Sequence, residues 1–477
     1  MNRSCLLPLL VALAGCAVSV RNELPPARAD LALTHVEVVD VESGQLLRDQ
    51  TLLIDGDRIT QMGASPDICV PTSARTIDGR GKYLIPGLWD MYSEAADSHA
   101  AGEPVWSLYL AHGILGVRDV KTSVSLDELA KLRSDLASGA LPGPQLVYAG
   151  RMLESGERRS TPGDIMVVRN AEEIQSAVDT LAASGVDYIK TGPYLLPELF
   201  PLVVAAARKH RMPVTGWVIT SWADASNAGL TGIDHFADLT RNSSLRRAEY
   251  YRMYLGNGPF HPSLVPREEA DPFFDALENS RDGVFFQETL ATMARNRTWI
   301  ATNHGTWDSL AHDGDDPTRH RFRTAAQVAA FNKNVHYRHR PKRDGILADF
   351  GALRAAGVPM LAGSGFSGLD GATPGLTLHD ALYWLTRGGY TPLEVLRMAT
   401  INPAQFLGIS DSTGTVTAGK RADLVLLDAN PLQDIRHSTS IVAVISKGQY
   451  LDRDALDQLL LNAEANAEAG ARADPSY

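Results

Sequence analysis

Glu94, Lys190 and His235 lie within three short runs rich in apolar and β-branched residues: "YLIPGLWDMYSEAAD", "DYIKTGP" and "GIDHFA". Imidazole and carboxylate suit zinc and its neighbours, and either can act as acid or base without a metal. An ammonium enclosed at such a tip is costly, so Lys190 must give up its proton or find a carboxylate. His99, His304 and Asp308 fall in loops after the first and seventh of eight such runs. They can line the same mouth as pocket residues, or they can be solvated.

The eight runs are the elements that would position these groups. Besides the three above they are "GILGVRDV", "PQLVYAG", "PVTGWV", "TWIATN" and "PMLAGS", and helical stretches separate them. Asn170 with Glu173 opens one helix that Gly185 stops. Thr391, Pro392 and Glu394 open another with a capping box and proline at its first position. Strands alternating with helices predict an α/β fold, a (β/α)8 TIM-type barrel. The stretch 241–282 is too long for a plain loop and reads either as a lid or as a surface excursion. "LALTHVEVVD" and "TLLIDGDRITQMG" near one end, and "RADLVLLDAN" and "IVAVISKGQYL" near the other, carry strand and hairpin patterns. They predict one small sheet domain built from both flanks.

The 477 residues, 44% hydrophobic and 21% charged, fit a globular protein with a substantial core. A net charge of -11 argues against a nucleic-acid partner, which draws affinity from clustered Lys and Arg. The basic run "HYRHRPKR" fits an anionic headgroup or a solvated face. The first residues read as a charged start, a short apolar run and a small-residue box ending at Cys16. That box resembles the bacterial lipoprotein signal, the alternative being an ordinary secretory signal. It implies a signal peptide over 1–16, a tether over 17–30 and lipidation at Cys16. The expected location is the cell envelope, at the outer membrane facing the periplasm. Cys5 then leaves with the signal, and Cys69 has no disulfide partner.

"LIPGLWD", "GVRDV", "DYIK", "GIDHF" and the tail "GTVTAGKRADLVLLDANPLQDI" carry a resemblance to a known family. Together they are similar to the amidohydrolase superfamily, in the branch of imidazolonepropionases and Xaa-Pro or Xaa-Arg dipeptidases. The resemblance implies a barrel over 85–411, a composite β-sandwich over 31–84 and 412–451, and a C-terminal helix or tail over 452–477. It also implies one or two divalent metals at the barrel mouth, where they activate water and polarise a carbonyl. The family reaction is hydrolysis of C–N bonds other than ordinary peptide bonds, or of dipeptides. In this family Arg118-Asp119 is a structural signature, read here as a buried ion pair rather than a catalyst. "GKRADL" and "NPAQFLG", which dock the small domain, are intact.

Carried over position by position, the metal ligands are mostly lost. Tyr92 and Glu94 stand where the family has two histidines, Trp217 where it has a third, and Gly365 where it has the proton-shuttling aspartate. Lys190 matches the carbamylated lysine and His235 the remaining histidine. The resemblance with these departures implies a degenerate metal site and no cofactor. If zinc or another divalent metal is held, Lys190, His235 and Glu94 are its ligands. In the family the tips of the first and fourth strands meet, so Glu94 is the carboxylate expected to pair with Lys190. Tyr92 and Trp217 then fill a cavity, or they line a pocket whose rings stack on a ligand. The expected function is a non-catalytic binding or scaffold protein, a pseudoenzyme, with a small-molecule or envelope-protein partner. The alternative is an atypical amidohydrolase of amide, cyclic amide or dipeptide substrates, with His235 and Glu94 as its catalytic groups.

Overall fold

The computed structural model describes residues 28–97, 103–155, 163–236, 238–255, 267–303, 321–323, 343–367 and 373–473. Cys16, His99, His304, Asp308 and most of the basic run lie outside the described residues.

Both flanks enter one eight-stranded sheet. Leu31–Val39, Leu46–Asp55, Arg58–Ala64, Arg75–Asp78 and Tyr83–Pro86 come from one side, and Leu424–Leu427, Ile441–Ser446 and Gln449–Leu451 from the other. Tyr83–Pro86 joins them, running parallel to Leu31–Val39 and antiparallel to Leu424–Leu427. Leu33, Val36, Leu52, Ile54, Leu84, Leu424 and Ile445 are among the side chains of its separate apolar core. These strands form one connected ladder among the described residues. Gly87 ends Tyr83–Pro86 because nothing larger fits: a Cβ there would lie 2.7 Å from the Leu115 side chain. One residue later the chain begins Leu88–Ser93, in a different sheet.

All eight expected central strands are present. They are Leu88–Ser93, Ile114–Asp119, Gln145–Tyr148, Ile189–Thr191, Val214–Trp217, Gly232–Asp234, Trp299–Ala301 and Met360–Leu361. Their pairings are parallel, but the ladder is divided. The first three form one sheet, and the other five join Met152–Glu154 and Ile165–Val167 in a second. The division falls at Gly150, whose φ of 70° breaks the extended backbone between Tyr148 and Met152. Hydrogen bonds outside the ladders link the sheets at both edges, from Asp187 N to Tyr148 O at 2.9 Å at one, and from Met91 N to Ala362 O and Gly365 N to Tyr92 O, each at 2.8 Å, at the other. A continuous closed ladder, which the alternation predicted, is therefore absent among the described residues.

The helix starts follow their local signals. Asn170 accepts from Glu173 N at the head of Ala171–Ala183, and Thr391 with Glu394 forms the predicted capping box at the head of Pro392–Met398. Each such cap contributes about 1 kcal/mol. Alternation along the short strands then aims the chemistry. Ile189 and Ile233 belong to the main apolar core shared with the surrounding helices, so Lys190 and Asp234, one residue on, face the other side.

Candidate functional site

Lys190 does find a carboxylate, but a different one from that expected. Its ammonium lies 2.5 Å from Asp234 Oδ2, while Arg118 Nη2 donates to Asp234 Oδ1 at 2.7 Å. The expected Lys190 and Glu94 ion pair is not formed; Glu94 instead lies 3.8 Å from Lys121. The reason is reach and register. Lys190 and Asp234 sit on strands separated only by Val214–Trp217, both facing inward, whereas Glu94 follows the end of Leu88–Ser93 and turns back through Asp97 N to Glu94 O. All three charged side chains of the group are buried. Arg118 is held further by Nε donating to Met91 O at 2.6 Å and by the Tyr188 and Phe406 rings, each just over 5 Å away. Arg118 is thus in a buried ion pair, but with Asp234 as the anion; Asp119, its neighbour in the motif, instead accepts from Ala96 N at 2.8 Å.

Electrostatics follow from this geometry. Burial opposes the charge on Asp234, yet the Arg118 guanidinium and the Lys190 ammonium overcome it and hold the carboxyl well below its usual range. Burial lowers the Lys190 pKa, with Asp234 opposing and Arg118 reinforcing the shift.

His235 is fixed on three sides. Trp217 stacks on its ring at 3.8 Å between centroids and 10° between planes. Tyr92 stands edge-on, its hydroxyl 2.7 Å from Nε2. Asn303 Nδ2 is 3.0 Å from Nδ1. An amide NH2 can only donate, so Nδ1 accepts and the ring proton sits on Nε2, directed at the Tyr92 oxygen; this tautomer is assigned from the hydrogen-bond network. The backbone of His235 is left-handed, with φ 64°, an uncommon conformation for a non-glycine residue. The Lys190 ammonium lies 5.2 Å from the centroid of the Tyr92 ring, which ties the imidazole group to the ion triad.

Trp217 is fixed in turn through Asp238. Its Nε1 donates to Asp238 Oδ2 at 2.7 Å, and the other oxygen of Asp238 accepts from Tyr250 at 2.8 Å and Arg241 at 3.2 Å. Tyr250 lies in helix Arg247–Leu255 of the long insertion, and it packs with Ile219, Phe274 and Leu277. The insertion therefore reaches the site through Asp238.

These side chains do not fit a divalent metal. Nε2 of His235 carries the proton and the lone pair on Nδ1 accepts from Asn303, so no lone pair is offered to an ion. Lys190 is an ammonium held by a carboxylate, and indole provides no ligand atom. Gly365 has no side chain, and its N–H donates to Tyr92 O at 2.8 Å. Among the described residues no group of three or more His, Cys, Asp or Glu stands at metal-binding spacing.

Asp90 ties the Tyr92 backbone to Ser364. Its Oδ1 accepts from Ser364 N at 2.9 Å and Tyr92 N at 3.2 Å, and its Oδ2 from Ser364 Oγ at 2.5 Å. Burial raises its pKa to about 6 against these hydrogen bonds. A raised carboxyl pKa means that the folded state binds the extra proton, so stability falls as pH rises from the unfolded value through about 6. Two pKa units correspond to about 3 kcal/mol. Asp90→Asn retains the acceptor and can donate to Ser364 Oγ. Urea melts should show the variant gaining about 2–3 kcal/mol on the wild type between pH 4 and pH 7. Parallel pH profiles would contradict this assignment.

The sequence reading missed Asp234, Asn303 and Asp238. Asp234 had a signal in the alternation of "GID", where an outward Ile233 leaves the aspartate facing inward. Asn303 ends "TWIATN", and nothing local marks Asp238.

Residues 329–451 match the family described as "Amidohydrolase family". A similar curated protein is adenine deaminase 3 of Rhizobium meliloti, 23% identical over 85% of this chain. The chain spans 56% of that relative's length. A shorter match, 46% identical over 61 residues, is to imidazolonepropionase of Thermoplasma acidophilum, covering 12% of this chain and 15% of that one. Among solved structures, a putative prolidase from Bifidobacterium longum superposes with a TM-score of 0.62 at 22% identity, over 91% of this chain and 98% of that one. At that identity the likeness shows the fold alone.

Proposed function

We infer that this chain, which belongs to the amidohydrolase superfamily, is a binding protein of the cell envelope in which side chains have replaced the family's metal centre. The observation that carries the reading is the double engagement of the His235 imidazole, by Tyr92 on one nitrogen and Asn303 on the other. An imidazole so held cannot ligate zinc without breaking one of those contacts. The two-layered β-domain implied by the resemblance belongs to the same reading. So do lipid attachment at Cys16 and a place at the outer membrane facing the periplasm. The ligand is a small molecule or an envelope protein met at the mouth formed by the central strand tips.

The discriminating assay offers dipeptides, N-acyl amides and cyclic amides to the protein with and without added zinc. The expected result is no turnover above the uncatalysed rate, with neither chelator nor His235→Ala changing anything. Zinc-dependent turnover that disappears in His235→Ala would overturn the proposal in favour of an atypical amidohydrolase.

A further inference from the structure

Two imidazoles lie where a pair of helices meets a turn of the eight-stranded sheet. His379, in helix Leu376–Arg387, is buried. Its Nε2 is 2.9 Å from His112 O, and its Nδ1 is 2.8 Å from Ser438 Oγ. A carbonyl oxygen can only accept, so Nε2 carries the proton and Nδ1 accepts from the Ser438 hydroxyl. Ser438 belongs to the turn Ile435–Thr439, which leads into the strand Ile441–Ser446. His112 follows helix Glu103–Ala111, and its Nδ1 donates back to Leu108 O at 2.7 Å. It packs against Gly375, where a Cβ would lie 2.6 Å from its own, and edge-on to Phe322. Leu108, Phe322 and Ala463 cluster with Leu376 and Leu460, which seats the C-terminal helix Arg453–Ala473 on the same junction.

The bonds of His379 define a neutral ring, and a second proton has no place among them. Ser438 is 1% exposed, and its hydroxyl has no other hydrogen-bond partner among the described residues. Protonation of Nδ1 would set two donors against each other and leave the buried hydroxyl without its acceptor. Electrostatics act in the same direction. Burial lowers the His379 pKa, against its bond to His112 O and the charge of Asp380. Burial also brings His112 down to about 3, against its bond to Leu108 O, and His379, Arg453 and Arg321 reinforce that shift.

Other charged groups on the packed elements are engaged with one another or with polar groups. Arg436 pairs with Asp434 at 2.5 Å and Arg453 with Asp457 at 2.8 Å. Arg323 donates to Thr373 Oγ1 at 3.3 Å, and His437 Nδ1 is 2.8 Å from Asn430 O. Both folded values of the pair lie below the free value of 6.5. The neutral rings therefore support the closed junction fully above that value, and their support is lost as pH falls from it toward the folded values.

We propose that His379 and His112 form an acid-sensitive latch, which keeps the turn Ile435–Thr439 and the C-terminal helix docked at neutral pH and releases them when the rings take up protons. A ring at about 3 when docked and 6.5 when released favours release about thirtyfold more at pH 5 than at pH 7.5. Asp90 moves overall stability the opposite way with pH, so the readout has to be local.

The test is hydrogen–deuterium exchange of the full chain at these two pH values, corrected for the intrinsic exchange rate. Peptides covering Ile435–Thr439 and Arg453–Ala473 should open about thirtyfold more at pH 5, while Val214–Trp217 does not. His379→Gln keeps a donor for His112 O and an acceptor for Ser438 Oγ without a titrating ring, and His112→Asn keeps a donor for Leu108 O. The double variant should flatten the dependence to within about twofold. Should it fail to fold, His112→Asn alone should reduce the dependence about threefold or more. Protection of these segments that ignores pH would overturn the latch. So would a loss spread evenly over the chain, or a dependence that survives unchanged in the folded variants.

Discussion

Asp234→Ala should destabilise the protein by about 3–5 kcal/mol, the usual cost of removing one partner from a buried ion network. The effect is large because one carboxylate serves two cations, Arg118 and Lys190, in a buried setting. Without it, Arg118 cannot discharge itself, and Lys190 would lose its proton. The double variant Asp234→Ala with Lys190→Met should therefore recover part of the loss. The pH dependence carries the opposite sign to that of Asp90. Because the folded pKa of Asp234 is held low, its contribution is present above the unfolded value of 3.8 and fades only as pH falls through the lower folded value. Urea denaturation near neutrality checks the magnitude, and a cost below about 1 kcal/mol would contradict the network.

Trp217→Ala is expected to cost about 2–4 kcal/mol, at the lower part of the range for aromatic truncation because the indole is only part buried. It removes the stack on His235 and the hydrogen bond to Asp238 together. Trp217→Phe separates the two contributions: the ring remains over the imidazole, and only the N–H donor is lost, at about 1 kcal/mol. The specific readout is His235 itself. Acylation of that histidine by diethyl pyrocarbonate, followed by peptide mass mapping, should be slow in wild type and in Trp217→Phe and about tenfold faster in Trp217→Ala, with one face of the ring uncovered. Equal rates in all three proteins would mean that the stack does not restrict the imidazole.

Local signals carried much of the fold. The central runs all became strands, and the caps at Asn170 and Thr391 formed where side-chain spacing placed them, because each depends on neighbours within a few residues. The division of the parallel ladder was less legible. It turns on a left-handed backbone at Gly150, one glycine among many, and on pairing across distant segments. The need of Lys190 for a carboxylate was legible from the cost of burying an ammonium. Its partner was misassigned because strand tips were compared and side-chain direction along "GID" was not. Asp238 could not be foreseen, since its role arises only where the insertion helix with Tyr250 meets the indole of Trp217.

The central claim is that Tyr92, Trp217, Asn303 and Asp234 hold the groups a metal would need. It is tested most directly by elemental analysis of protein purified without chelator and supplied with zinc and bicarbonate. The account predicts zinc far below one equivalent, unchanged by Glu94→Ala. One equivalent or more, lost in Glu94→Ala or His235→Ala, would contradict it.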